Sequence, residues 1–88
     1  MPLFEFDPAK SEANRAKHGI DFVAAQAIWE DDEAIEAPAR EVSEERYLVV
    51  GRVGATLWTA VITYRGSTIR IISVRRARDK EVGNYEGK

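Results

Sequence analysis

Three segments rich in β-branched and aromatic side chains, 46–53, 56–64 and 67–75, follow one another with only hairpin-length links, Val53-Gly54-Ala55 and Arg65-Gly66-Ser67. Parallel neighbours need a crossover of a dozen or more residues, so these segments have to pair antiparallel, as a meander. The whole chain has 88 residues, which suits one domain spanning 1–88.

The first half supplies the elements that cover such a sheet. Leu3 to Phe6 alternates and reads as a short strand. Asp7 then caps a helix whose first position is Pro8, where a missing N–H costs nothing and the fixed φ suits the turn. This helix should run to His18 and stop at Gly19, with Ile20 packing back on its last turn. Ala9, Ala13 and Ala16 form a stripe that would allow close packing. Lys10, Asn14, Lys17 and His18 share a neighbouring face, which is either a solvated surface or a site. Asp21 should cap a second helix, with Phe22, Ala25, Ile28 and Trp29 on its apolar side and an acidic run, Glu30-Asp31-Asp32-Glu33, at its end. That run reads as a solvated loop or as a contact for a basic partner.

A brief strand is expected at 34–37, broken by Pro38, then an acidic loop through Ser43 and Glu45. A short helix at 79–86 would close the chain. The expected class is α+β: a small antiparallel sheet, two N-terminal helices and a short C-terminal helix.

Charge is segregated along this sequence. Residues 1–44 hold 4 Lys or Arg against 11 Asp or Glu, whereas residues 45–88 hold 9 against 4. Between Arg46 and Lys80 there are seven Arg, one Lys and one acid, Asp79. Guanidinium groups match phosphate oxygens in pairs, so an Arg-rich sheet reads as a phosphate-binding surface or as a solvated face. Strict alternation would put Ile69, Ile71, Ser73 and Arg75 on one face of the last strand and Arg70, Ile72, Val74 and Arg76 on the other. A charge among isoleucines needs water, an acid or a ligand phosphate, so Arg70 calls for a salt bridge or a phosphate.

The absence of Cys removes disulfides, thiolate metal sites and cysteine nucleophiles. One histidine and scattered carboxylates argue against a metal, and no glycine-rich phosphate fingerprint supports a nucleotide cofactor. No apolar run is long enough to span a membrane and MPLFEFDPAK is unlike a signal peptide, so a cytoplasmic protein is expected. The remaining chemistry is a set of cations beside three groups that can move protons: His18, Lys17 and Tyr85. Such a set suits RNA cleavage by the substrate's own 2′-hydroxyl. That reaction needs a proton removed, the phosphorane's charge stabilised and the 5′-oxygen protonated. Two other readings stand beside it. One is a non-catalytic RNA-binding module with Trp58 and Tyr64 exposed for stacking; the other is an interaction protein that docks an acidic partner on its arginines.

Asp7-Pro8-x-Lys10, Asn14, Lys17-His18-Gly19-Ile20-x-Phe22, Glu45-Arg46 and Arg70-Ile-Ile-Ser73-x-Arg75-Arg76-Ala77, with Glu81 and Tyr85, together resemble the BrnT toxins of the RelE-like ribonuclease group. The resemblance implies a compact α+β ribonuclease that cleaves RNA and inhibits translation. It also implies a BrnA-type antitoxin with a DNA-binding region, through which alone the complex would reach operator DNA. Carried over residue by residue, it points to Lys17, His18, Ser73, Arg75 and Arg76 as catalytic positions. Arg75 and Arg76 would hold the scissile phosphate, Lys17 or His18 would move a proton, and Ser73 would orient a phosphate or a side chain. Lys10, Arg65, Arg70 and Tyr85 are the expected RNA contacts.

Overall fold

The computed structural model describes residues 2–40 and 45–87, so the expected acidic loop lies partly outside the described residues. Strands β1 (Leu3–Glu5), β2 (Ile35–Pro38), β3 (Tyr47–Val53), β4 (Thr56–Arg65) and β5 (Thr68–Arg76) form one sheet in the order β1-β5-β4-β3-β2. The meander is present as β3, β4 and β5, all antiparallel. The sheet as a whole is mixed, because β1 pairs parallel with β5, matching Phe4 to Ile69 and Glu5 to Arg70. This corrects the expectation of a purely antiparallel sheet. Helix α1 (Pro8–His18) supplies the crossover that lets the chain leave β1, and β2 lies on the far edge, where Pro38 is tolerated.

Local signals set the ends of α1. Asp7 accepts a hydrogen bond from the Ala9 N–H at 2.9 Å, and Gly19, at φ +85°, donates its N–H to Arg15 O at 2.9 Å. The alanine stripe does not pack, since Ala9, Ala13 and Ala16 are all exposed. Ser11 and Asn14 are the buried residues of α1. The Ser11 hydroxyl accepts from Phe22 N at 2.9 Å, while the Asn14 side chain accepts from Val74 N at 3.1 Å and donates to Ile20 O at 2.8 Å. These polar bonds do the docking that apolar contacts were expected to do.

The expected second helix is a 3₁₀ helix, Ala24–Glu30, not an α-helix. Its N-cap position is Val23, without a side-chain cap, and not the expected Asp21, which accepts from Ala24 N at 2.7 Å in the turn before it. With three residues per turn, Ala25 and Ile28 eclipse and point together at the sheet. Both are fully buried with Phe22 against Val49, Trp58, Ala60, Ile62, Ile69, Ile71 and Val74. Each large side chain removed from water in this way contributes about 1.5–3 kcal/mol. Phe4 meets Trp29 edge-on at 5.0 Å and Phe6 meets Phe22 at 5.7 Å, closing the core over β1. The short C-terminal helix expected at 79–86 is α2 (Asp79–Glu86), and it lies on the opposite face of the sheet, where Glu81 bonds Thr59 and Arg75.

Gly51 faces the 3₁₀ helix so closely that a Cβ there would lie 2.8 Å from Ile28 Cγ2 and 3.1 Å from its carbonyl oxygen. Backbone cannot yield as a flexible side chain does. Gly51→Ala should therefore lower stability by about 1–3 kcal/mol, measured by urea unfolding; an unchanged midpoint would mean the helix shifts freely on the sheet.

Candidate functional site

Strand β5 outruns β1, so its outer edge is unpaired beyond Arg70, and α1 lies against it. Asn14 takes up the buried Val74 N–H that this edge leaves without a strand partner and thereby fixes the rotation of α1 about its axis. The face turned toward the strand then carries Lys10, Ala13, Asn14, Lys17 and His18, at the i, i+3, i+4 spacing of helical neighbours. With Ile72 and Ser73 of β5 they line a shallow cleft of about 270 Å³. Four of the expected residues, Lys10, Lys17, His18 and Ser73, meet here. Lys10, Lys17 and His18 have no carboxylate partner among the described residues, and Lys17 and His18 sit at the negative end of the α1 dipole.

A one-residue bulge in β5 decides where the arginines go. Ile71 pairs with Ile62 but Ser73 pairs with Val61, leaving Ile72 as the extra residue. Strict alternation fails there: Val74 and Arg76 join the core face with Ile69 and Ile71, and Ser73 and Arg75 join Arg70 on the α2 face. Arg75 and Arg76, as adjacent strand residues, still point to opposite sides, but each on the face opposite to the one strict alternation gave it. Arg76 lies over the ring of the buried Trp58, 5.9 Å from its centroid. Neither arginine lines the cleft of Lys17 and His18.

Arg75 has a carboxylate of its own. Its Nη1 and Nη2 donate to Glu81 Oε1 and Oε2 at 2.8 and 2.9 Å, and Glu81 Oε1 also accepts from Thr59 Oγ1 and Arg78 N, each at 2.8 Å. Chiefly through the Arg75 hydrogen bonds, the Glu81 carboxyl is held down to about 2, and the same contact raises Arg75. Arg70 takes the salt-bridge alternative, with Nη1 2.8 Å from Glu5 Oε2, while Arg65 Nε is 3.5 Å from the same oxygen. Tyr85 is buried and donates its hydroxyl to Asp31 Oδ2 at 2.8 Å, which raises its phenol, and Arg52 lies 5.7 Å over its ring. Tyr64 is exposed but leans on Tyr47 and bonds Glu36, and with Trp58 buried no pair of free rings stands beside the arginines.

Sequence reasoning put Asn14 on the right face and gave it no task. A signal existed: asparagine is disfavoured inside helices unless its amide is used. Glu81 was named only through the resemblance and its pairing had no comparable signal, since an acid six residues after Arg75 becomes its partner only once α2 folds back across the sheet. Among the described residues no group of three His, Asp or Glu gathers as a metal site, and no helix is long and apolar enough to cross a membrane.

The Glu81 carboxyl lies below its ordinary value near 4.5, so its contribution is complete above that pH and is lost as the pH falls toward about 2. Its full size is on the order of 3 kcal/mol. Between those limits the native chain should lose more stability per pH unit than Glu81→Gln, compared by urea unfolding across an acid series; parallel curves would show that the pair adds nothing.

No curated protein matches the chain. A family model does, over residues 6–81, and its description is the ribonuclease toxin, BrnT, of type II toxin-antitoxin systems. The match includes α1, the cleft, the bulge and Glu81, and membership implies an RNA target and an antitoxin partner. The chain belongs to the BrnT family of ribonuclease toxins.

Proposed function

We propose that the chain is a metal-independent endoribonuclease toxin whose working surface is the cleft between α1 and the β5 bulge. The observation that carries this reading is the meeting of Lys10, Lys17 and His18 with Ser73 in one cleft whose ionisable side chains are all basic. Such a lining attracts a phosphodiester and repels a metal ion. In this mechanism the substrate's 2′-oxygen attacks phosphorus and the bond to the 5′-oxygen breaks, leaving a cyclic phosphate and a free 5′-hydroxyl. His18 moves a proton, Lys10 and Lys17 offset the charge that grows on the phosphorane, and the Ser73 hydroxyl orients a phosphate oxygen. Arg75 takes a supporting role here, because Glu81 occupies both arms of its fork.

The biological role that fits is inhibition of translation in the cytoplasm by a RelE-like toxin. A BrnA-type antitoxin would neutralise it, and that antitoxin's DNA-binding region would bring the complex to its operator.

The test is RNA integrity after incubation with purified protein in EDTA, for the native chain, Lys17→Ala and His18→Gln. Cutting by the native chain, falling by about 10²–10⁴-fold in the variants, is the expected result, with unchanged circular dichroism because both residues lie at a helix end. A folded native chain that binds RNA without cutting it would favour a binding module; equal cutting by all three would remove the cleft from the chemistry.

A further inference from the structure

A second cleft, about 320 Å³ in volume, lies where α2 crosses the β2–β3 edge, lined by Ala37, Leu48, Arg78, Lys80, Glu81 and Asn84. Ala37 and Leu48 are directly paired across β2 and β3 and so present one apolar floor. Arg78 and Lys80 are exposed and have no carboxylate in ion-pair range among the described residues. The one acid in the lining, Glu81, is already neutralised by Arg75. The cleft therefore combines an apolar floor, a side-chain amide and a net positive rim. A nucleotide answers to that combination: its ring lies on apolar carbon, its edge bonds an amide, and its phosphate takes the cations.

The cleft shares a surface with the proposed cutting site. Ser73 and Arg75 are same-face neighbours on β5, about 7 Å apart along the strand, and Arg75 bonds the Glu81 that lines the second cleft. We propose that the cleft between α2 and the β2–β3 edge is a subsite for a nucleotide flanking the cut phosphodiester, with Lys80 and Arg78 on its phosphate and Asn84 on its base. This rests on the ribonuclease reading and extends it. Arg75 and Glu81 would then stand between the two clefts as a neutral divider, holding α2 at the spacing the RNA strand has to bridge.

The experiment uses a fluorescein-labelled single-stranded RNA with 2′-O-methyl riboses, which lacks the attacking hydroxyl and stays intact. Its affinity is measured over a salt series for the native chain, a Lys80→Ala, Asn84→Ala double variant and Lys17→Ala. The double variant should bind about three- to tenfold more weakly, with a salt slope reduced by about 0.7 for the lost phosphate contact. Both residues are exposed, so the fold should survive, and unchanged thermal unfolding checks it. As a second readout, adenosine monophosphate added to isotope-labelled native protein should shift the amide resonances of Leu48, Lys80 and Asn84.

Binding weakened by Lys17→Ala but unaffected by the double variant would overturn the subsite and leave the ribonuclease reading standing. Failure of the native chain to bind RNA at all would remove both.

Discussion

One side-chain amide, that of Asn14, decides how the first helix sits on the sheet. The outer strands are shorter than the strands they flank, so β5 and β3 each present edge N–H groups that no strand reaches. Asn14 takes the one at Val74, and Asp31 takes the one at Arg52 with a bond of 2.8 Å. The bond at Val74 is buried, and such an N–H left without a partner would cost about 1–3 kcal/mol, so its capture by Asn14 is both a stabilising contact and a positional constraint. Asn14 also holds Ile20 O, tying the end of α1 to the chain leading into the 3₁₀ helix. Everything on the cationic face of α1 inherits its position from this clamp, because residues 10, 14, 17 and 18 turn as one rigid surface.

The bulge at Ile72 is the complementary device on the strand side. By adding one residue it shifts the phase of β5, brings Ser73 up beside α1 and exchanges the faces that Arg75 and Arg76 take. Without it Val74 would leave the core, and Ser73 would face into it. The two arginines to which the resemblance gave one task, holding the scissile phosphate, thus have different environments. Arg75 is locked into an ion pair that docks α2, and Arg76 is exposed above an indole.

Features governed by neighbours in the chain were legible in the sequence. Asp7-Pro8 and Gly19 marked the ends of α1, two glycine links marked the meander, and the shared face of Lys10, Asn14, Lys17 and His18 followed from helical geometry alone. Features governed by partners far along the chain were not. The parallel pairing of β1 with β5 joins residues some 65 positions apart, and no local pattern announces it. The close approach of Ile28 to Gly51 joins residues 23 positions apart. The bulge is invisible because Arg70-Ile71-Ile72-Ser73-Val74 reads equally well in either phase, with an apolar residue available for the core on both faces. Glu81 and Arg75 needed α2 to fold across the sheet before they could meet.

The central claim is that the clamp of α1 against the β5 bulge builds the surface on which RNA is held. The most direct measurement is photo-crosslinking of a thiouridine-containing, 2′-O-methylated RNA to the native chain, with the modified residues located by mass spectrometry. The account requires crosslinks within α1 and at Ile72 or Ser73. Crosslinks confined to the opposite face, around Trp58 and Arg76, would contradict it.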